Sequence, residues 1–217
     1  MARLNVNPTR MELTRLKNRV RTARRGHKLL KDKRDELMKQ FLDFMRRDRD
    51  LRRKTEEALG RFYGSFNVAS ALMSPEMLEQ ALLYPKQSAA LTMKTRNIMS
   101  VNVPVYTFKT RNSDPADIAP YGYAATSGEL DDALDALAEI FGDLLELAQI
   151  EKAVHLLAGE IEKTRRRVNA LEYVMIPQLE ETIRYISMKL DENERGNLTR
   201  LMKVKDMMLK QAGYGAE

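Results

Sequence analysis

Apolar residues recur at alternating spacings of three and four residues along the first quarter of the chain. Fifteen positions from Leu13 to Phe62 follow this pattern, and eleven of them are apolar. No proline interrupts residues 9–66. A stripe of this kind, here called a seam, is typical of a coiled-coil strand and predicts a long helix over residues 8–66. The first seam includes Leu13, Leu16, Val20, Leu30, Leu37 and Phe41.

A second seam of the same kind predicts another long helix over residues 127–211. Ser127 is a candidate N-cap for this helix, and Thr126 with Glu129 gives an alternative capping box. Asn7–Pro8, or a capping box of Thr9 and Glu12, can begin the first helix. The second seam includes Val154, Leu157, Ile161, Val168, Leu171, Ile183 and Ile186. Two such helices in one chain most simply fold back as an antiparallel pair. We expect the numbers of contacting residues to add up to roughly 195, give or take fifteen.

Pro177 lies within the second predicted helix, in the segment YVMIPQLEETI. It leaves the carbonyl of Tyr173 without its helical donor, which permits a kink of the axis. The seam also changes here, because Leu171, Met175, Leu179 and Ile183 are separated by three steps of four. Such a period relaxes or reverses a left-handed supercoil. The proline is either a tolerated kink or part of a shaped axis, and its coincidence with the changed pattern favours the second.

The segment between the two helices, residues 67–126, holds five of the seven prolines. Ser74 and Pro75 predict a short helix over 75–84, with Ser74 as its cap. Alternating apolar residues predict a β-hairpin over 89–103 with a loop at residues 95–97 and Asn97 left-handed. Residues 104–126 are predicted to be an irregular loop. The fold class is therefore mainly α, a long antiparallel two-helix coiled coil with a short helix and a small β-hairpin inserted.

Charge is distributed unevenly along a chain whose formal net charge is +6. Residues 1–61 carry 20 Lys and Arg against 9 Asp and Glu, whereas residues 62–217 carry 17 against 22. Antiparallel packing would place the basic residues 46–54 beside the acidic residues 129–151. The chain has no cysteine, and no apolar run approaches the ~20 residues of a membrane span. We expect a cytoplasmic protein without direct membrane insertion.

The sequence contains no recognisable catalytic, cofactor or metal site. A phosphate-binding loop of the form G-x-x-x-x-G-K-[ST] is absent, and the histidines, His27 and His155, have no metal-ligand spacing. His27 lies on the seam, where a polar interruption of the packing is more common than a ligand. Gly26 either allows a close backbone approach or has no role. The basic first helix lacks the aromatic platform of a nucleic-acid surface, so these residues indicate a structural or interaction protein.

Two segments resemble the D subunit of the V-type ATPases. They are NPTRMELTRLKNRVRTARRGHKLLKDKRDEL (residues 7–37) and RRRVNALEYVMIPQLEETIRYISMKLDENER (residues 165–195). The resemblance implies a central rotor shaft without a nucleotide site, standing in a hexamer of catalytic and nucleotide-binding subunits. It also implies a small central-stalk partner (the F subunit), a funnel-shaped subunit that links the shaft to the membrane ring, and transport of H⁺ or Na⁺.

A set of arginines at the basic end of the first helix and on its partner helix forms our hypothesis for the surface that contacts the hexamer. Its members are Arg21, Arg24, Arg25, Arg165, Arg166 and Arg167. The rival function is a non-rotary binding module, such as a basic helical hairpin on an anionic membrane or a nucleic acid. If the chain is a rotor shaft, we expect Pro177 to shape its axis and make the rotor eccentric.

Overall fold

The structure is a computed structural model that describes residues 3–111, 119–122, 126–211 and 213. Its elements follow the order α1, α2, β1, β2, α3, a π-helical segment and α4. Their bounds are α1 Arg10–Leu72, α2 Pro75–Leu82, β1 Ala89–Ile98, β2 Val101–Thr110, α3 Gly128–Ala170, the π segment Leu171–Met175 and α4 Ile176–Gln211. The chain divides into two compact units. Unit 1 comprises residues 1–34 and 163–217, and unit 2 comprises residues 35–162.

In unit 1 the start of α1 packs against α4. Leu16, Val20, Leu179 and Ile186 form the buried core of this pair, each at most 8 % exposed. The buried hydroxyl of Thr182 donates to the carbonyl of Gln178 at 2.7 Å, so this polar group costs little inside the packing. The antiparallel pairing follows the expected register, because the numbers of the ion-paired residues Arg10 and Glu194 add up to 204.

In unit 2 the remainder of α1 packs against α3. The core of this pair comprises Leu37, Ala153, Leu157 and Ile161 together with two valines of the hairpin. Lys54 and Asp143 form an ion pair of 2.7 Å, and their numbers add up to 197. All thirteen seam residues named from the sequence, from Leu13 to Ile186, are buried or half-buried. The long C-terminal helical stretch therefore pairs with the N-terminal helix, as the seams predicted.

The helix ends differ from the predicted ones for local reasons. The hydroxyl of Thr9 accepts a hydrogen bond from the N–H of Glu12 at 3.3 Å, so α1 begins at Arg10 and the Asn7–Pro8 start was wrong. At its other end α1 continues to Leu72, beyond the predicted 66, since Ala69 and Met73 are buried against α2 and α3. The hydroxyl of Ser127 is buried without a hydrogen-bond partner among the described residues, so the predicted side-chain cap of α3 does not form.

The short helix α2 has the predicted start. Ser74 accepts a hydrogen bond from the N–H of Met77, and Pro75 occupies the first turn. The helix ends at Leu82 instead of 84. The reason is Pro85, which disfavours helical backbone at the residue before it. Ala81 of α2 is buried in a cluster with Ala69, Met73 and Leu130, and this cluster closes the α1–α2 end of unit 2.

The register predicted for the hairpin was wrong. The strands pair from Ala89 with Thr110 to Ile98 with Val101, so β2 extends through residues 104–110 of the predicted loop. Residues 112–118 and 123–125 of that loop lie outside the described residues. The turn is Met99–Ser100, with φ of 48° and 74°, the positive pair required by a two-residue type I′ turn. Asn97 is not left-handed. Its side chain instead accepts from the N–H of Ser100 at 3.1 Å.

Tertiary burial explains this register. Two non-glycine residues in the left-handed region cost about 1–2 kcal/mol each. Val101 and Val103 are 7 % and 5 % exposed against Leu37 and Leu157, and each contributes ~1.5–3 kcal/mol by burial. Further along β2, the N–H of Tyr106 donates to Gln149 of α3 at 2.7 Å. These contacts fix β2 against the helices and leave Leu91 and Met93 of β1 exposed.

Candidate functional site

The π segment lies directly before Pro177. Its defining hydrogen bond runs from the N–H of Ile176 to the carbonyl of Leu171, five residues back. A proline ring presses on the carbonyl four residues before it, here that of Tyr173, and a wider π turn relieves this pressure. The sequence pattern predicted a disturbance at Pro177 but did not identify a π turn. The bend of the axis stays a prediction.

The π segment shifts the buried face of the helix. Leu171 is half-buried, residues 172–175 are exposed, residues 176–178 are half-buried again, and Leu179 is buried. Two α-helical turns take about 7.2 residues, so a separation of eight residues corresponds to two turns with one residue inserted. Met175, which the steps of four placed on the seam, lies within the π turn and is 43 % exposed.

An open groove lies between α1 and the π segment within unit 1. It has a volume of about 440 Å³. Its lining residues are Arg15, Asn18, Arg19, Thr22, Ala23, Leu171, Met175 and Leu179. We call this feature the π groove. Beside it, Tyr173 and Val174 are 64 % and 50 % exposed, so the π segment presents three consecutive large apolar side chains to solvent.

The six arginines named from the sequence are all exposed side chains of unit 1. Arg24 donates to Glu180 of α4 at 2.7 Å, so its charge is already compensated within the chain. Arg166 also has a partner. At least two of the six arginines therefore already have partners within the chain. Two other arginines of unit 1 are paired as well, Arg3 with Glu181 and Arg10 with Glu194.

His27 faces the π segment. Its Nε2 atom lies 3.3 Å from a carboxylate oxygen of Glu172, and its side chain is 22 % exposed. This contact connects α1 to the segment that precedes Pro177. A Cβ atom placed on the neighbouring Gly26 would meet nothing within 4 Å, so no close backbone approach requires a glycine there.

Opposite charges also meet across the helix pair of unit 2, as the charge pattern suggested. Arg52 donates to Glu151, and this hydrogen bond and the charge of Glu151 raise the pKa of the guanidinium above its usual value. Within the described ranges, no group of three or more His, Asp or Glu side chains could hold a metal ion. None of the helices described is long and apolar enough to cross a membrane.

Comparison with known proteins identifies the family. The family model for the D subunit of ATP synthase matches residues 12–206. The chain belongs to the ATP synthase D-subunit family. Curated relatives named as the D subunit of V-type ATP synthase include one from Acetivibrio thermocellus, 68 % identical over 98 % of this chain and 96 % of that protein. The relative from Clostridioides difficile is 62 % identical over 98 % of this chain and 95 % of its own length.

Membership of the D-subunit family decides between the two functions considered from the sequence. The family supports the function of a central-stalk component of a V-type ATP synthase. The non-rotary binding module for anionic membranes or nucleic acids is not supported.

Proposed function

We propose that this chain is the rotor shaft of a V-type ATP synthase. It transmits torque between a hexamer of catalytic and nucleotide-binding subunits and the ion-translocating membrane ring. The observation that carries the proposal is the match of nearly the whole chain to relatives named as the D subunit of V-type ATP synthase. The chain supplies no catalytic group or cofactor, and it acts at the cytoplasmic side of the membrane as a peripheral component.

The packing of the two units supports a mechanical role. In each unit, α1 lies antiparallel to the second helical stretch, with an apolar core between them. Sliding one helix past the other would expose Leu16 and Ile186 in unit 1, or Leu37 and Leu157 in unit 2. Each fully buried aliphatic side chain contributes ~1.5–3 kcal/mol, so the pair resists shear over its length. An element that carries torque needs this resistance.

The surface charge supports the assignment of partners. From residue 10 to residue 34, α1 carries eleven Lys and Arg but two carboxylates, Glu12 and Asp32. Arg21 and Arg25 make no ion pair within the described residues. Acidic loops of the hexamer are the partners that such a face would select. The small central-stalk partner, the F subunit, would then bind unit 2 near residues 46–66 and 129–151, and the funnel-shaped subunit would hold the end nearest α2.

A rotation measurement tests this function directly. The chain has no cysteine, so a single cysteine introduced at an exposed position of unit 2 would attach a bead at one site. In the complex reconstituted with the hexamer and the small stalk partner, addition of ATP should drive stepwise rotation of the bead. Turnover of ATP without rotation, or a complex that assembles with full activity when this chain is omitted, would refute the proposal.

A further inference from the structure

The π groove combines an apolar floor with arginines at its rim. Leu171, Met175 and Leu179 supply the floor, while Arg15 and Arg19 extend from the facing helix. We propose that this groove receives an acidic segment of a hexamer subunit, with one apolar side chain on the floor and a carboxylate at the arginines. This inference rests on the proposed function, and it names the chemistry of one contact that the function requires.

The floor of the groove lies at the π turn. Met175, within this turn, lines the groove and has 43 % of its surface exposed. Leu179 beneath it is only 3 % exposed, so the groove ends on the core of unit 1. An apolar side chain seated here would cover methionine and leucine surface that water now contacts.

The rim selects a negative partner. Arg15 has one local carboxylate, Glu12 at 3.1 Å, and its side chain remains 70 % exposed. Arg19 is exposed and makes no ion pair with any residue that the structure describes. A carboxylate can accept bidentate hydrogen bonds from such a guanidinium.

The apolar floor favours a peptide over a phosphate backbone. A phosphodiester chain would engage the arginines and leave the three floor residues without a contact. An acidic segment with an apolar side chain uses both halves of the groove. The groove also adjoins Arg21 and Arg24, and both residues belong to the surface proposed to face the hexamer. The groove therefore adds an apolar contact to that charged surface.

Cysteine labelling tests the proposal in the reconstituted complex, because the chain has no cysteine of its own. A Met175→Cys variant is labelled with a maleimide, alone and after assembly. We expect labelling in the complex to be slower by roughly an order of magnitude, because a seated side chain covers most of this surface. Asn18→Cys, on the facing wall of the groove, repeats the measurement if the first variant folds poorly.

A cross-linker on the same introduced cysteine identifies the occupant. The expected product is a peptide of a catalytic or nucleotide-binding subunit that contains an aspartate or glutamate close to the cross-linked residue. A product with the small stalk partner, with a second copy of this chain, or with a peptide lacking a carboxylate would overturn the inference. Unchanged labelling in the assembled complex would overturn it too.

Charge reversal supplies the matched comparison. Arg19→Glu should weaken binding to the hexamer about threefold to tenfold, the range expected when one exposed attraction becomes a repulsion. Arg96→Glu is the control, since Arg96 is likewise exposed and makes no ion pair within the described residues but lies on β1 of unit 2, outside the surfaces proposed for the hexamer and the small stalk partner. Equal effects of both substitutions would contradict the groove. A chain that fails to assemble at all would refute the proposed function, whereas assembly with an accessible groove refutes this inference alone.

Discussion

Replacing Pro177 with alanine should change the stability of unit 1 by less than its position in a long helix suggests. A proline inside a regular α-helix costs ~3 kcal/mol relative to alanine. If that cost were present here, Pro177→Ala would raise the free energy of unfolding by this amount. We expect a change within about 1 kcal/mol, because the π turn has already removed the clash and the substitution restores one backbone hydrogen bond at most.

The packing of α4 explains why the π turn should persist in this variant. Converting it to a regular helix without removing a residue would turn α4 by about 80° relative to residues 163–170, the helical turns that precede the π segment in unit 1. Leu179 and Ile186, 3 % and 0 % exposed, would then leave the core. Their burial contributes ~1.5–3 kcal/mol each, a total that exceeds the ~1 kcal/mol of one added hydrogen bond. The core therefore fixes the phase of α4 and keeps the inserted residue.

Deleting Val174 supplies the complementary test. This residue is 50 % exposed, and its removal leaves Leu171 and Leu179 seven residues apart, about two regular turns. The deletion combined with Pro177→Ala should give a regular helix with the core intact. The deletion alone should be less stable than the double variant by ~3 kcal/mol, because the proline then lies in a regular helix.

Urea unfolding of the isolated chain followed by circular dichroism gives the free energies. Amide hydrogen exchange over residues 176–190 reports whether the α4 core of unit 1 remains protected. A stabilisation of about 3 kcal/mol by Pro177→Ala alone would refute the reasoning, since it would mean that the proline still carries its full cost. Loss of protection in the double variant would refute the assignment of the inserted residue.

Three further changes test other parts of the molecule. Leu157→Ala should lower the free energy of unfolding of unit 2 by ~2–5 kcal/mol, because the leucine is fully buried, and a value below about 1 kcal/mol in urea titrations would contradict this. Replacing Leu91 and Met93 with serine should reduce ATP turnover of the complex without changing the stability of the chain, and unchanged turnover would argue against a role for this exposed face. Neutralising all six predicted hexamer-contacting arginines should weaken hexamer binding and flatten its salt dependence. Arg24→Ala alone should have little effect, because Glu180 already pairs with Arg24. An unchanged salt slope for the sixfold variant would count against the proposed surface.

The packing of the hairpin also determines which variant can test the role of the hairpin in ATP turnover. Deleting the whole hairpin removes Val101 and Val103 from the core of unit 2, so a loss of activity could follow from a loss of packing. Serine substitutions at Leu91 and Met93 avoid the difficulty, since both side chains are more than half exposed.

The seams could be predicted from the sequence because helical periodicity is a local property. Leu16, Leu37 and Leu157 are separated from their neighbours in each seam by spacings that place them on one face of a helix whatever the partner is. The hairpin register could not be predicted in the same way. Turn chemistry favoured Asn97, while burial of Val101 and Val103 against Leu37 depends on contacts between residues distant in sequence. The pairing of Arg24 with Glu180 likewise depends on the register of the two helices.

The spacing around Pro177 itself requires an inserted residue once both ends of the segment are known to be buried. Leu171 and Leu179 are both directed toward α1, yet eight residues separate them, and a regular helix would place only about seven there. One residue must therefore be accommodated without turning the seam away from its partner. Pro177 independently requires a wider turn at the carbonyl of Tyr173. A single π turn satisfies both requirements, and Met175 within that turn is 43 % exposed and therefore available to a partner.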